Sequence, residues 1–284
     1  MGGAYKDSLF RSLFNNKKSF LSLYNAVSGK NYDENTQVEM VTLTETLFTM
    51  KKNDVAGIIA NRLIIAVEHQ SSLNENMPFR FLSHIARLLE NTIVDKSAVY
   101  REKLMKLPRP EFIVLCNSPL LSMDRVTLRL SDAFEKVEGC SEDNLELTVK
   151  LFNINKQRNT EIVERCVTLR GYVEYVDIVR ITRERIEKEN PGMDRKSAAW
   201  KAVADSVTYC KKHGILKDFF ENLSPEEVNM IATEWNLEDA VKVAREEGRE
   251  EGIEKERKWV MKLLEQGKSI NELKRIIETS PFPL

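Results

Sequence analysis

The sequence predicts an α/β protein, with a mixed sheet flanked by helices and a helical C-terminal region after it. Three observations carry that reading. Leu63-Ile64-Ile65-Ala66-Val67 is an unbroken apolar run of strand length, and Phe112-Ile113-Val114-Leu115-Cys116 is a second. Such runs suit strands buried on both faces. Between them the apolar residues Phe81, Leu82, Ile85, Leu88 and Leu89 fall at helical spacing, so the segment reads as strand–helix–strand. That unit places its two strands parallel through a right-handed crossover. Third, from Glu161 onward helical periodicity takes over.

Taken in order, Tyr5, Leu9, Phe10, Leu13, Phe14, Phe20, Leu21 and Tyr24 predict one amphipathic helix over about 5–27, closed by Ser28-Gly29. Its aromatic residues read as core. Val38 to Met50, rich in Thr, Val and Phe, reads as a strand. Lys51 to Asp54 forms a turn, Val55 to Ala60 a short strand, and Asn61-Arg62 a tight turn into the strand Leu63–His69. A loop over Ser71–Asn76 precedes a helix from Met77 to about Leu104, with Pro78 in its first turn. Pro108 and Pro110 then break the chain ahead of the second apolar strand. Val126–Leu130 and Leu145–Leu151 alternate and extend the sheet or add a hairpin. Helices follow over about 161–188, 194–213 and 225–245. The last, charge-dense stretch, 245–267, carries a short REEG repeat. Gly248 and Gly252 each cost a helix about 1 kcal/mol against alanine, which makes this tail a marginal or partner-dependent helix.

The 284 residues are 42% hydrophobic and 31% charged, with a net charge of −1. That excludes a disordered chain and a globally basic nucleic-acid binder. No apolar run approaches the length of a membrane span, and MGGAYKDSLF lacks the apolar segment of a secretory signal. Cys116, Cys140, Cys166 and Cys210 stand far apart without a CxxC pair, which argues against zinc and against a disulfide framework. A soluble protein of the cytoplasm, without a membrane partner, is the expectation. Locally, Lys96 to Arg109 holds five basic residues against the single acid Glu102. Such a stretch suits either contact with phosphates or a solvated helix end. Trp200, Trp235 and Trp259 read as packing anchors, and His84 and His213 as structural.

One constellation carries chemistry. Residues two apart on a strand project from one face, so Glu68 and Gln70 are neighbours while His69 points the other way. If 55–60 and 63–69 pair as a hairpin, Asp54 falls opposite the Glu68–Gln70 end. Two carboxylates converging at a strand end suit a hard divalent cation such as magnesium. Such an ion acidifies an attacking water and neutralises charge on a phosphodiester.

The residues Asn53-Asp54, followed by Leu63-Ile64-Ile65-Ala66-Val67-Glu68-His69-Gln70-Ser71-Ser72-Leu73-Asn74-Glu75-Asn76-Met77-Pro78, resemble the Rpn (YhgA-like) recombination-promoting nuclease and putative transposase family, part of the PD-(D/E)XK nuclease superfamily. The likeness continues through Lys6-Asp7-Ser8-Leu9-Phe10, Leu107-Pro108-Arg109-Pro110-Glu111-Phe112, Leu145-Glu146-Leu147-Thr148-Val149, Asn153-Ile154-Asn155 and the glycine-punctuated tail. The helix, three strands, helix and strand read above match the core order of that superfamily.

The resemblance implies a PD-(D/E)XK, restriction-endonuclease-like core over 1–155, a helical region over 156–244 and a charged helical tail over 245–284. It implies a metal-dependent DNA endonuclease linked to recombination or mobile elements, using Mg2+ with Mn2+ as a substitute. Asp54 and Glu68 would be metal ligands, with Asp7 as a further one. Gln70 stands where the superfamily usually has a catalytic lysine, and Asn53 replaces the motif's proline. Lys52, Arg80 and Arg87 are then candidates to supply the missing charge and to contact DNA. Arg80 and Arg87 stand two turns apart on one helix face. The C-terminal helices would provide DNA contacts, homo-oligomerisation or regulation. The alternative is a catalytically weak or inactive relative that binds nucleic acid or protein through the same scaffold.

Overall fold

The computed structural model describes residues 9–41, 54–60, 63–71, 73–138 and 144–233, and in the tail 252, 253, 255, 257–264, 272 and 275. At 54, 63–66 and 68 the description is of the backbone alone. Residues 1–232 make one compact unit and 233–284 a second.

The chain opens with two helices where the periodicity predicts one. α1 spans Leu9–Phe14 and α2 spans Lys17–Ser28. Asn16 interrupts them: it adopts an extended conformation and its side chain accepts a hydrogen bond from the Ser19 amide at 2.9 Å. Capping satisfies an amide that a continuous helix would bond internally, so the break costs little. Gly29 ends α2 in the left-handed conformation, at φ 73°, as its position predicts. Phe10, Phe14, Phe20 and Tyr24 are all fully buried, so the aromatic stripe is core.

Six strands form one mixed sheet. They are β1 (Val38–Val41), β2 (Asp54–Ile59), β3 (Leu63–Gln70), β4 (Arg109–Cys116), β5 (Arg125–Arg129) and β6 (Thr148–Asn153), in the spatial order β1-β2-β3-β4-β6-β5. The part of the first predicted strand beyond Val41, and the turn residues 51–53 and 61–62, lie outside the described residues. β2 and β3 pair antiparallel from Ile59↔Leu63 to Asp54↔Glu68, so Asp54 opens β2 and is not a turn residue. β3 runs parallel to β4, and β4 parallel to β6. β5 pairs antiparallel with β6 and so forms the far edge, extending the sheet as a hairpin. Pro110 sits inside β4, contrary to its reading as a breaker. It stands opposite Ile64, while β6 reaches only Ile113–Cys116 on the other side. A proline with one strand neighbour leaves the ladder largely intact.

Helices cover both faces. α3 (Met77–Thr92) lays Met77, Phe81, Ile85 and Leu88 on Phe112, Val114 and Cys116 of β4 and on Val149 and Leu151 of β6. It ends twelve residues short of the predicted Leu104. The chain turns at Ile93, and a short 3-10 turn follows over Lys96–Tyr100. Val94, Val99, Tyr100 and Leu104 past its end are exposed, so a longer helix would have no apolar face to bury there.

The opposite face receives α1, α2 and α5. There Gly57 of β2 admits the Phe20 ring, whose Cε1 would stand 2.6 Å from any Cβ at that position. The predicted helix over 161–188 is broken at Cys166 into α4 (Thr160–Arg165) and α5 (Val167–Glu189). α6 (Arg195–His213) follows as predicted, then the short α7 (Lys217–Glu221). Residues 225–233 are helical, and the rest of the predicted 225–245 helix lies outside the described residues. Trp200 is half-exposed on α6, so it does not anchor packing. In the second unit residues 257–264 are helical. No described helix is long and apolar enough to cross a membrane.

Candidate functional site

Alternation along β3 decides which neighbours belong together. The Gln70 amide lies against the Met77 sulfur at the start of α3, whereas His69 meets the other helical layer. Its Nε2 is 2.9 Å from the Tyr172 hydroxyl of α5, and its ring stacks on Phe10 of α1 at 5.0 Å between centroids. His69 and Gln70 are both buried. Position 68, two before Gln70, therefore belongs to the α3 side. The histidine is a packed core residue, as the alternation predicts.

The backbone register puts Asp54 directly opposite Glu68. Directly opposed residues of an antiparallel pair stand with Cβ atoms about 4.5–5.5 Å apart on one face, where like charges destabilise the pairing. On the other flank of β3, Glu68 is in register with Val114 and Gln70 with Cys116, and Val114 and Cys116 have no exposed surface. Two acidic positions are thus set beside an apolar floor at the end of a strand. Oxygen donors in this number suit a hard divalent cation, which keeps waters in its remaining positions.

The other sequence candidates fall into three groups. Arg80 joins the site: its Nη1 is 3.5 Å from the same Met77 sulfur that the Gln70 amide touches. Arg87 is exposed two turns further along α3, about 10 Å away. Between them His84 is buried, and its pKa is lowered first by that burial and then by the charges of Arg80 and Arg87. Asp7 and Lys52 lie outside the described residues.

The basic stretch 96–109 stands elsewhere. Arg109 is in register with Leu63, the end of β3 remote from Glu68 by about 17 Å. Lys96 pairs with Glu90 at 3.4 Å and Arg101 with Asp95 at 2.5 Å. The stretch is solvated but is not a helix end, since α3 has already finished.

Sequence reading missed a polar network beside the site. The Asn117 amide donates to the Gln70 carbonyl at 2.9 Å, extending the β3–β4 ladder by one residue. The Asn117 carbonyl in turn accepts from Arg180 Nη2 of α5 at 2.5 Å, and Arg180 Nη1 donates to Asn155 Oδ1 at 2.8 Å. Asn155 Nδ2 bonds the Ser118 carbonyl at 2.7 Å. Asn153, fully buried, donates to the carbonyls of Leu121 and Met123. Asn159 donates to the carbonyls of Asp124 and Asn153. These side chains satisfy backbone groups where the ladder stops, which lets Asn117, Ser118 and Ile154, the first residues after β4 and β6, be buried. The spacing Asn153-Ile154-Asn155 at a strand end was the available signal for part of it; Arg180, from a distant helix, left none.

The three described cysteines, Cys116, Cys166 and Cys210, are free and buried, and burial raises the pKa of each, that of Cys210 to about 11. They are poor nucleophiles. Comparison with protein-family models, with curated proteins and with solved structures finds no match for this chain.

Proposed function

We propose that this protein is a metal-dependent nuclease of PD-(D/E)XK type that hydrolyses phosphodiester bonds in DNA, as its resemblance to the recombination-promoting nucleases implies. The observation that carries the reading is the register Asp54↔Glu68. Opposed acids are unfavourable in a sheet unless something positive lies between them. Here Asp54 and Glu68 would hold Mg2+ or Mn2+, with Asp7 as a further candidate. A divalent cation in that position lowers the pKa of water and offsets charge on a phosphate.

The surrounding residues suit the same task. α3 begins where β3 ends, so its N-terminus adds positive potential on the side where a phosphate would approach. Arg80, whose Nη1 lies 3.5 Å from the Met77 sulfur that the Gln70 amide touches, would supply the charge that Gln70 lacks, and Arg87 and Lys52 remain candidates for further DNA contacts. Gln70 itself can orient a water or phosphate oxygen by hydrogen bonding but cannot serve as a base.

The second reading, a weak or inactive relative acting as a nucleic-acid or protein binding module, is favoured by one observation. The Gln70 amide is buried against Met77, turned toward packing. Nicking of supercoiled plasmid by purified protein separates the two. The nuclease reading predicts cleavage with Mg2+ or Mn2+ that EDTA abolishes and that falls at least about a hundredfold in Asp54→Ala and in Glu68→Ala. Cleavage unchanged in both variants places the chemistry elsewhere. Absence of cleavage by the wild type with either metal favours the binding module.

A further inference from the structure

A cleft of about 590 Å³ lies between the start of α2, the loop after it, and α4. Lys17, Lys18, Asn31, Tyr32, Glu34 and Arg165 are among the residues lining it. It is separate from the acidic site. Val38, also in its wall, pairs with Ile59 at the end of β2 remote from Asp54, about 17 Å along the strand.

The cleft is built by specific bonds. Asn25 and Tyr32 exchange two hydrogen bonds, Nδ2 to carbonyl at 2.8 Å and amide to Oδ1 at 2.9 Å. Arg165 Nη2 donates to the Lys30 carbonyl at 3.0 Å and to Asn31 Oδ1 at 2.8 Å, which fixes the guanidinium at the cleft wall. Tyr32 stacks on the buried Tyr24 with centroids 6.0 Å apart. Lys17 and Lys18, by contrast, are exposed and have no ion pair among the described residues, and the same holds for Glu34. Three cations and one carboxylate therefore line one concavity.

We propose that this cleft binds a phosphorylated small molecule of nucleotide size. Lys17, Lys18 and Arg165 hold the phosphate groups, for which ammonium and guanidinium donors are the ordinary partners. Glu34 accepts from a sugar hydroxyl, and Tyr32 offers a half-buried aromatic wall. The volume is that of a typical small-molecule site and exceeds what a lone phosphate fills.

Titration calorimetry of the full chain in EDTA tests this with ADP, CDP, adenosine and inorganic pyrophosphate as probes; the chelator keeps the acidic site out of the measurement. The expected result is saturable binding of ADP or CDP at one per chain and none of adenosine. Affinity falls by about tenfold or more in the Lys17→Ala/Lys18→Ala double variant, whose melting temperature without ligand stays that of the wild type because both side chains are exposed. Saturable binding of neither nucleotide overturns the proposal. So does equal affinity in the double variant, which puts the ligand elsewhere. Pyrophosphate binding as tightly as ADP also overturns it, since the cleft then recognises a bare anion.

Discussion

The two faces of β3 differ more than their sequence neighbours suggest. On one side Val67 is buried and His69 packs against α1 and α5; on the other Gln70 lies against the start of α3, and position 68, which shares its face by alternation, is in register with Asp54. His69 has an aromatic stack and a hydroxyl partner and is nearly sealed from water. The acidic side puts two carboxylate-bearing residues opposite one another. A residue's chemistry is set by the face it lands on, because a one-residue step along a strand exchanges core for site.

The largest test of that contrast is His69→Ala. Losing the ring from between Phe10 and Tyr172, and the bond to the Tyr172 hydroxyl, should destabilise the protein by about 3 kcal/mol. Chemical denaturation measures that loss. Cleavage per folded molecule should stay at the wild-type level, and a loss as deep as that of Glu68→Ala would break the division between the faces.

A smaller effect sharpens how the site end of β3 is held. Arg180→Ala removes the donor to the Asn117 carbonyl and to Asn155, and should cost about 2 kcal/mol. Hydrogen exchange should show the Asn117 amide, bonded to the Gln70 carbonyl, losing protection before amides at the centre of β3. Uniform loss across the sheet would mean that Arg180 supports the fold as a whole and not this end.

The smallest effect concerns pH. His84 is held below its ordinary pKa of 6.5, by burial and by Arg80 and Arg87. The unfolded chain then binds the proton more readily than the folded one. His84 therefore contributes stability that is complete above about pH 6.5 and is lost as the pH falls toward its folded pKa. The melting temperature should drop on acidification from pH 7 to 5.5, and drop less in His84→Leu. An equal drop in both would assign the acid sensitivity to other groups.

Much of this arrangement was legible because it rests on local signals. The apolar runs located β3 and β4, the tight turn expected at Asn61-Arg62 implied the β2–β3 pairing that the backbone shows, and alternation separated His69 from its neighbours. What was not legible depends on what lies beneath or across. The apolar positions keep their phase from Leu13 and Phe14 to Phe20 and Leu21 across five polar residues, yet Asn16 among those five caps a new helix. Apolar residues recur past Thr92 at Val94, Val99 and Leu104, yet all three are exposed. Asn117, Asn155 and Arg180 meet across 63 residues of chain, and no local pattern announces such a meeting.

The central claim is that Asp54 and Glu68 share a divalent cation. Calorimetric titration of Mn2+ into the metal-free wild type, Asp54→Asn and Glu68→Gln measures it without reference to cleavage. The account predicts saturable binding by the wild type that is lost in both variants. It also predicts a melting temperature that rises with Mn2+ in the wild type alone, because a ligand that binds only the folded state stabilises it. Wild-type binding that survives both substitutions, or its absence in the wild type, would contradict it.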